Sequence, residues 1–140
     1  METLTREHYP LGLKRPDLLR TPTGKSYEEL TLDAALSGQI QASDLRISPE
    51  TLQMHAQICD SLGKNQQARN FRRAAELIGI SDARILEIYN ALRPRRSTKE
   101  ELLSIAEELE SQYEAHENAA LIREAADVYE QRNLLRRDGE

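Results

Sequence analysis

Through the last two thirds of the chain, apolar residues return every three or four positions between polar ones, the spacing of one buried face on an α-helix. Ser48-Pro49 opens the first such segment as an N-cap followed by proline at the first helical position, where the missing N–H costs nothing, and Leu62-Gly63 closes it. The next segment runs from about Asn65 to Ile78 with Gly79 as its stop, and places Ala68, Phe71, Ala75 and Ile78 on one face. Ser81-Asp82 opens a third, carrying Ile85, Ile88, Tyr89 and Leu92, and Pro94 ends it by removing a backbone donor and clashing with the preceding turn. Ser97-Thr98-Lys99-Glu100 has the S-x-x-E form of a capping box, so a fourth helix starts there with Leu102, Ile105, Ala106, Leu109 and Tyr113 as its buried stripe. A last helix, from about Asn118 to Arg136, carries Leu121, Ala125, Val128, Tyr129 and Leu135, and the pattern fits either a break near His116 or continuity with the fourth. The stretch Arg93-Pro94-Arg95-Arg96 is then a tight corner between two helices.

Residues 1 to 47 behave differently. Pro10, Gly12, Pro16, Pro22 and Gly24 interrupt any long helical pattern, and only Leu32 to Ser37 predicts a helix, with Thr31 as cap and Gly38 as stop. The segment is not polar, however: Tyr9, Leu11, Leu13, Leu18, Leu19, Tyr27 and Leu30 would sit poorly in water. Folding back onto the chain's own helices and docking on another chain both accommodate them. The expected fold is mainly α: a small multi-helix bundle of about four to five helices over 48–140, preceded by an extended, irregular N-terminal arm over 1–47 with one short helix. No repeat, low-complexity tract or linker divides this single structural unit.

Composition narrows the functions. The chain has 140 residues, 39% hydrophobic and 31% charged, and 19 basic against 24 acidic residues give a net charge of -5. That is the wrong sign for a protein whose main task is gripping phosphates. Cys59 is the only cysteine, so no intrachain disulfide forms and a reducing cytoplasm fits. No apolar run approaches the roughly 20 residues that span a bilayer, and Pro10, Gly12 and Pro16 stand where a signal peptide needs its apolar core.

A search for reactive groups returns little. His8, His55 and His116 form no H-E-x-x-H, and no paired C-x-x-C exists. His55 and Cys59, four apart, share a helical face, the one arrangement that could start a metal site, but with no second pair the reading is an ordinary partly buried cysteine. "PTGKS" at 22–26 ends like a phosphate-binding loop but has Leu19 where the first glycine belongs, so it is a turn containing a lysine. Glu107, Glu108 and Glu110 read as the solvated face of the fourth helix. Arg69, Arg72 and Arg73 flank Phe71, and Arg93, Arg95 and Arg96 crowd the corner. Such clusters suit an interface anchor or an RNA-stacking site, and equally a solvated helix surface with local ion pairs. From the residues alone, the chain is a small acidic helical protein without catalytic machinery of its own, a subunit or adaptor.

The stretch "ARNFRRAAELIGISDARILEIYNALRPRRSTKEELLSIAEELE", 68–110, resembles the small (gamma) subunit of adenosylcobalamin-dependent diol and glycerol dehydratases, most distinctively in "NFRRAAEL", "ILEIYNALRP" and "RSTKEELL". The resemblance continues through "YPLG" at 9–12, "TPTGK" at 21–25, "DLRISPETL" at 44–52 and "REAADVYEQRNLLR" at 123–136, in order along nearly the whole chain. It implies a helical accessory subunit of a lyase, in a dimer of heterotrimers with large (alpha) and medium (beta) subunits that turns propane-1,2-diol or glycerol into an aldehyde and water by a radical route. In that family, adenosylcobalamin and a metal cation are held by the other subunits, so no catalytic, cofactor or metal residue is expected on this chain.

The resemblance also makes Phe71, Arg72, Tyr89, Asn90, Arg93, Pro94 and Arg96 candidate contacts to the large subunit, with the arm extended along it. Nucleic acid and membrane are not expected partners. The alternative is a stand-alone helical adaptor that binds protein or RNA through its arginine clusters. Some small subunits of diol dehydratases carry a longer leading extension linked to packaging in bacterial microcompartments. Only seven residues precede "HYPLG" here, so the expected location is the cytoplasm rather than a microcompartment.

Overall fold

The structure is a computed structural model in which residues 2–137 are described. These residues form seven helices and no strand, apart from one isolated bridge between Arg20 and Ser26. The fold is mainly α, as expected, with slightly more helices than the four to five anticipated because two short ones, α1 (Leu11–Lys14) and α2 (Leu32–Leu36), lie in the N-terminal region. The long ones are α3 (Pro49–Ser61), α4 (Asn65–Leu77), α5 (Asp82–Ala91), α6 (Lys99–Tyr113) and α7 (His116–Gln131). The chain divides into two compact units, Met1–Ala75 and Glu76–Glu140.

In the first unit, the Ser48 hydroxyl accepts the Thr51 N–H at 3.2 Å and Pro49 occupies the first helical position of α3. Gly63, at φ +73, takes the left-handed turn that ends it. The helices α3 and α4 bury Ala56 and Ala68 completely. The preceding segment is not a loose tail. Leu4 and Leu11 are buried with Ile58, and Leu18, Leu19 and Met54 pack around them. The Leu4 N–H donates to Gln57 Oε1 and the Arg6 N–H to Ser61 Oγ, tying the start of the chain to α3. Thr31 caps α2 and Gly38 follows at φ +81, as the sequence indicates.

The second unit is built on α6 and α7, which pack along one another. Its core joins Ile80, Ile88, Leu102, Ala106, Leu109, Ala115, Ala119, Ile122 and Ala126, with Leu102 and Leu109 fully buried. Each such leucine is worth about 1.5–3 kcal/mol relative to exposure. The two helices are separate: Glu114 adopts the left-handed conformation at φ 52 and ends α6, and α7 begins at His116.

Four sequence expectations shift. The cap of α6 is Thr98, paired with Glu101, rather than Ser97 with Glu100. Ser97 is buried and spends its hydroxyl on the Ala91 carbonyl at 2.8 Å, which leaves the next hydroxyl to cap. Gly79 has no positive φ. The Ile80 N–H instead closes a turn on the Leu77 carbonyl, which puts Ile80 in the core and leaves Ile78 exposed. Finally, α7 starts two residues earlier and ends about five earlier than expected, and its buried stripe is Ala119, Ile122 and Ala126, one position on from the Leu121 and Ala125 anticipated.

Candidate subunit interface

The corner after α5 is fixed by the segment that follows α7. The Tyr129 hydroxyl donates to the Leu92 carbonyl at 2.5 Å, and the Arg95 N–H, with Arg95 at φ 64, donates to the Leu134 carbonyl at 2.7 Å. The Arg136 N–H donates to the Ser97 carbonyl at 2.8 Å, while its guanidinium donates to the Arg96 carbonyl at 3.0 Å and pairs with Glu101. Backbone groups that would otherwise compete for side chains are thus satisfied from within the unit.

This leaves the corner's own side chains unoccupied. Arg93, Arg95 and Arg96 are exposed, and their guanidinium groups make no hydrogen bond or ion pair among the described residues. Other arginines of the same unit are engaged: Arg84 with Glu87 and Glu108, Arg123 with Glu107 and Glu110, Arg136 with Glu101. The hydrogen bonds that Arg84 donates to the carboxylates of Glu108 and Glu87 raise its pKa, and the Arg123 guanidinium lowers that of Glu110.

Beside the corner, Tyr89 is 67% exposed and Asn90 is exposed. Tyr89 also edges an apolar hollow of about 150 Å³ floored by Leu77, Ile85, Leu92 and Leu121. An exposed aromatic ring and arginines unpaired among the described residues are the residue types that protein contacts enrich.

Of the seven candidate residues, Tyr89, Asn90, Arg93, Pro94 and Arg96 come together here. Phe71 and Arg72 belong to the first unit. The Phe71 ring, half-buried, stacks on His55 at 5.5 Å and 25°, and Tyr9 meets the other partner of that stack, His55, edge-on at 6.4 Å. Burial lowers the His55 pKa. Arg72 pairs with Asp60, joining α4 to α3.

Sequence reasoning missed Asp44. Its side chain is buried and accepts from Lys25 Nζ at 2.6 Å, from the Thr23 hydroxyl and from the Gln41 N–H at 2.8 Å. Those donors, Lys25 foremost, lower its pKa to about 2. Lys25, expected as no more than a lysine in a turn, also donates to the Gln39 carbonyl. A pair nineteen residues apart leaves no periodic signal.

The described residues contain no group of three or more His, Cys, Asp or Glu that could hold a metal. The imidazoles are engaged locally: His8 accepts the Thr5 N–H, His55 stacks on Phe71 and His116 lies 3.5 Å from Glu110. This donor set does not fit a corrinoid or its metal. Among the described residues, no helix is long and apolar enough to cross a membrane.

The family model described as dehydratase small subunit matches residues 4–136. The chain belongs to that family. It is 52% identical over 130 residues to the propanediol dehydratase small subunit of Salmonella typhimurium, covering 93% of this chain and 75% of that one. It is 50% identical over 130 residues to the protein of the same name from Citrobacter freundii, covering 93% and 76%.

Proposed function

We propose that this dehydratase small subunit is the accessory, non-catalytic chain of an adenosylcobalamin-dependent lyase acting on propane-1,2-diol or glycerol. It works in the cytoplasm with large and medium subunits as a dimer of heterotrimers. Identity of 50% or more across most of the chain to two propanediol dehydratase small subunits is the observation that carries this reading. The radical chemistry, in which a hydroxyl migrates and water leaves to give an aldehyde, is supplied by the cofactor held on the other chains. This chain's residues bind and orient.

The contact assigned to the large subunit is the corner of Tyr89, Asn90, Arg93, Pro94 and Arg96, facing a surface that offers carboxylates to the unpaired arginines. Phe71 and Arg72, in the first unit, are candidate contacts to the large subunit in their own right. A helical adaptor for RNA is the weaker reading, since the net charge of -5 opposes phosphate.

The test is co-expression of a tagged chain with its large and medium subunits. The double variant Arg93→Glu/Arg96→Glu should recover about tenfold less of both partners while keeping its helical circular dichroism. Undiminished recovery would remove the corner from the interface, and loss of the helical signal would make it a purely structural turn.

A further inference from the structure

The first unit carries a second concave surface. An open hollow of about 230 Å³ is lined by Leu19, Tyr27, Leu30, Leu45 and Ile47. Three of these are unusually exposed: Tyr27 at 49%, Leu45 at 74% and Ile47 at 49%. Large apolar side chains gathered around one depression are costly to leave in water. The walls are preorganised, because the Thr21–Lys25 turn and the turn Ala42–Leu45 are locked together by the Lys25–Asp44 ion pair and the Thr23 hydroxyl.

Charge indicates what covers it. Lys25 is neutralised by Asp44, so it offers nothing to a ligand. Arg20 and Arg46 also line the hollow, and both are exposed. Arg20 donates to the Leu19 carbonyl and feels Asp17 and Glu29 only from beyond contact distance, and neither arginine forms a direct ion pair among the described residues. An apolar floor beneath two such cations, on a chain that is acidic overall, selects an apolar side chain flanked by carboxylates.

We infer that this hollow is a docking socket for a segment of a larger dehydratase subunit that inserts one large apolar side chain between Arg20 and Arg46, with acidic neighbours pairing to both. The inference rests on the subunit reading above, and makes the first unit a contact in its own right alongside the arginine corner of the second.

The experiment titrates the purified chain into its large–medium complex and reads the dissociation constant. Leu45→Asp and Arg20→Glu/Arg46→Glu should each weaken binding at least about tenfold with circular dichroism unchanged, while Arg20→Lys/Arg46→Lys stays within about threefold of the parent. Equal affinities for the parent and both disruptive variants would overturn the socket and leave the subunit reading standing. Failure of the parent chain itself to bind would overturn both.

Independently of variant folding, a benzophenone side chain placed at Leu45 in the assembled complex should crosslink to a larger-subunit peptide with acidic residues beside an apolar one. Absence of any crosslink to either larger subunit from an intact complex would also overturn the socket.

Discussion

Glu76 caps a helix to which it does not belong. The residue before α7 is Ala115, which has no side-chain acceptor, and the Glu76 carboxylate takes the Glu117 N–H at 2.8 Å, the Asn118 N–H at 2.9 Å and the Asn118 amide at 2.6 Å. Replacing it, Glu76→Ala, should lower unfolding stability by about 1–2 kcal/mol in urea, the loss of a charged cap whose donors are partly buried. Asp44 has a pH signature. Its carboxyl titrates near 2 in the folded chain, against about 3.9 unfolded, so the folded state binds fewer protons between those values. The stabilisation is present above about pH 4 and is lost as the pH falls towards about 2. In denaturation series, the stability gap between the parent and Asp44→Asn should therefore narrow across that window, and a constant gap would contradict the assignment. Local caps such as Ser48 and Ser81 were legible because their donors lie three residues away. The Glu76 cap and the Lys25 and Thr23 bonds to Asp44 were not, since those partners are fixed only by tertiary structure, and at 97–98 two adjacent hydroxyls faced two adjacent glutamates, so spacing alone could not choose the register.

At the scale of the element, the long helices follow from periodicity, the breaks before α6 from their glycine, proline and cap residues, and the break between α6 and α7, which the pattern left open, from Glu114 in the left-handed conformation; the stripe of α6 is the one its sequence specifies, with Leu102, Ala106 and Leu109 buried. In α7, two stripes with similar spacing compete, one of larger side chains through Leu121 and Val128 and one through Ala119, Ile122 and Ala126. The second is buried, and its alanines allow close approach to α6 where bulk would hold the helices apart. Hydrophobicity favours the first stripe and packing the second, so the pattern misled by one residue. Truncating Leu109→Ala should destabilise the chain by about 2–5 kcal/mol, whereas Leu121→Ala, at a position 41% exposed, should cost about 1 kcal/mol or less. Urea denaturation of the two variants side by side checks the stripe, and equal losses would contradict it.

For the molecule as a whole, the N-terminal segment folds back in part onto its own helix, the first of the two outcomes its sequence left open. Leu4 and Leu11 fold back against Ile58, while Leu13, Leu32, Leu36 and Leu45 remain 74–82% exposed. Composition could count these leucines without sorting them, because which side each faces is set by turns such as Arg6–His8 and Ala42–Leu45 rather than by a period. The arginine corner was legible as a cluster. Its lack of ion pairs among the described residues was not, since that depends on which carboxylates the fold brings near: Glu108 and Glu110 are drawn to Arg84 and Arg123, and no described carboxylate pairs with Arg93, Arg95 or Arg96. A small subunit with two buried clusters of its own and two exposed surfaces proposed as contacts has the form of an assembly component. The most direct measurement is aldehyde production from propane-1,2-diol and from glycerol, with adenosylcobalamin added, by the large and medium subunits expressed with and without this chain. Activity and a co-eluting complex should both require it; a large–medium pair that is equally active and equally stable alone would contradict the account.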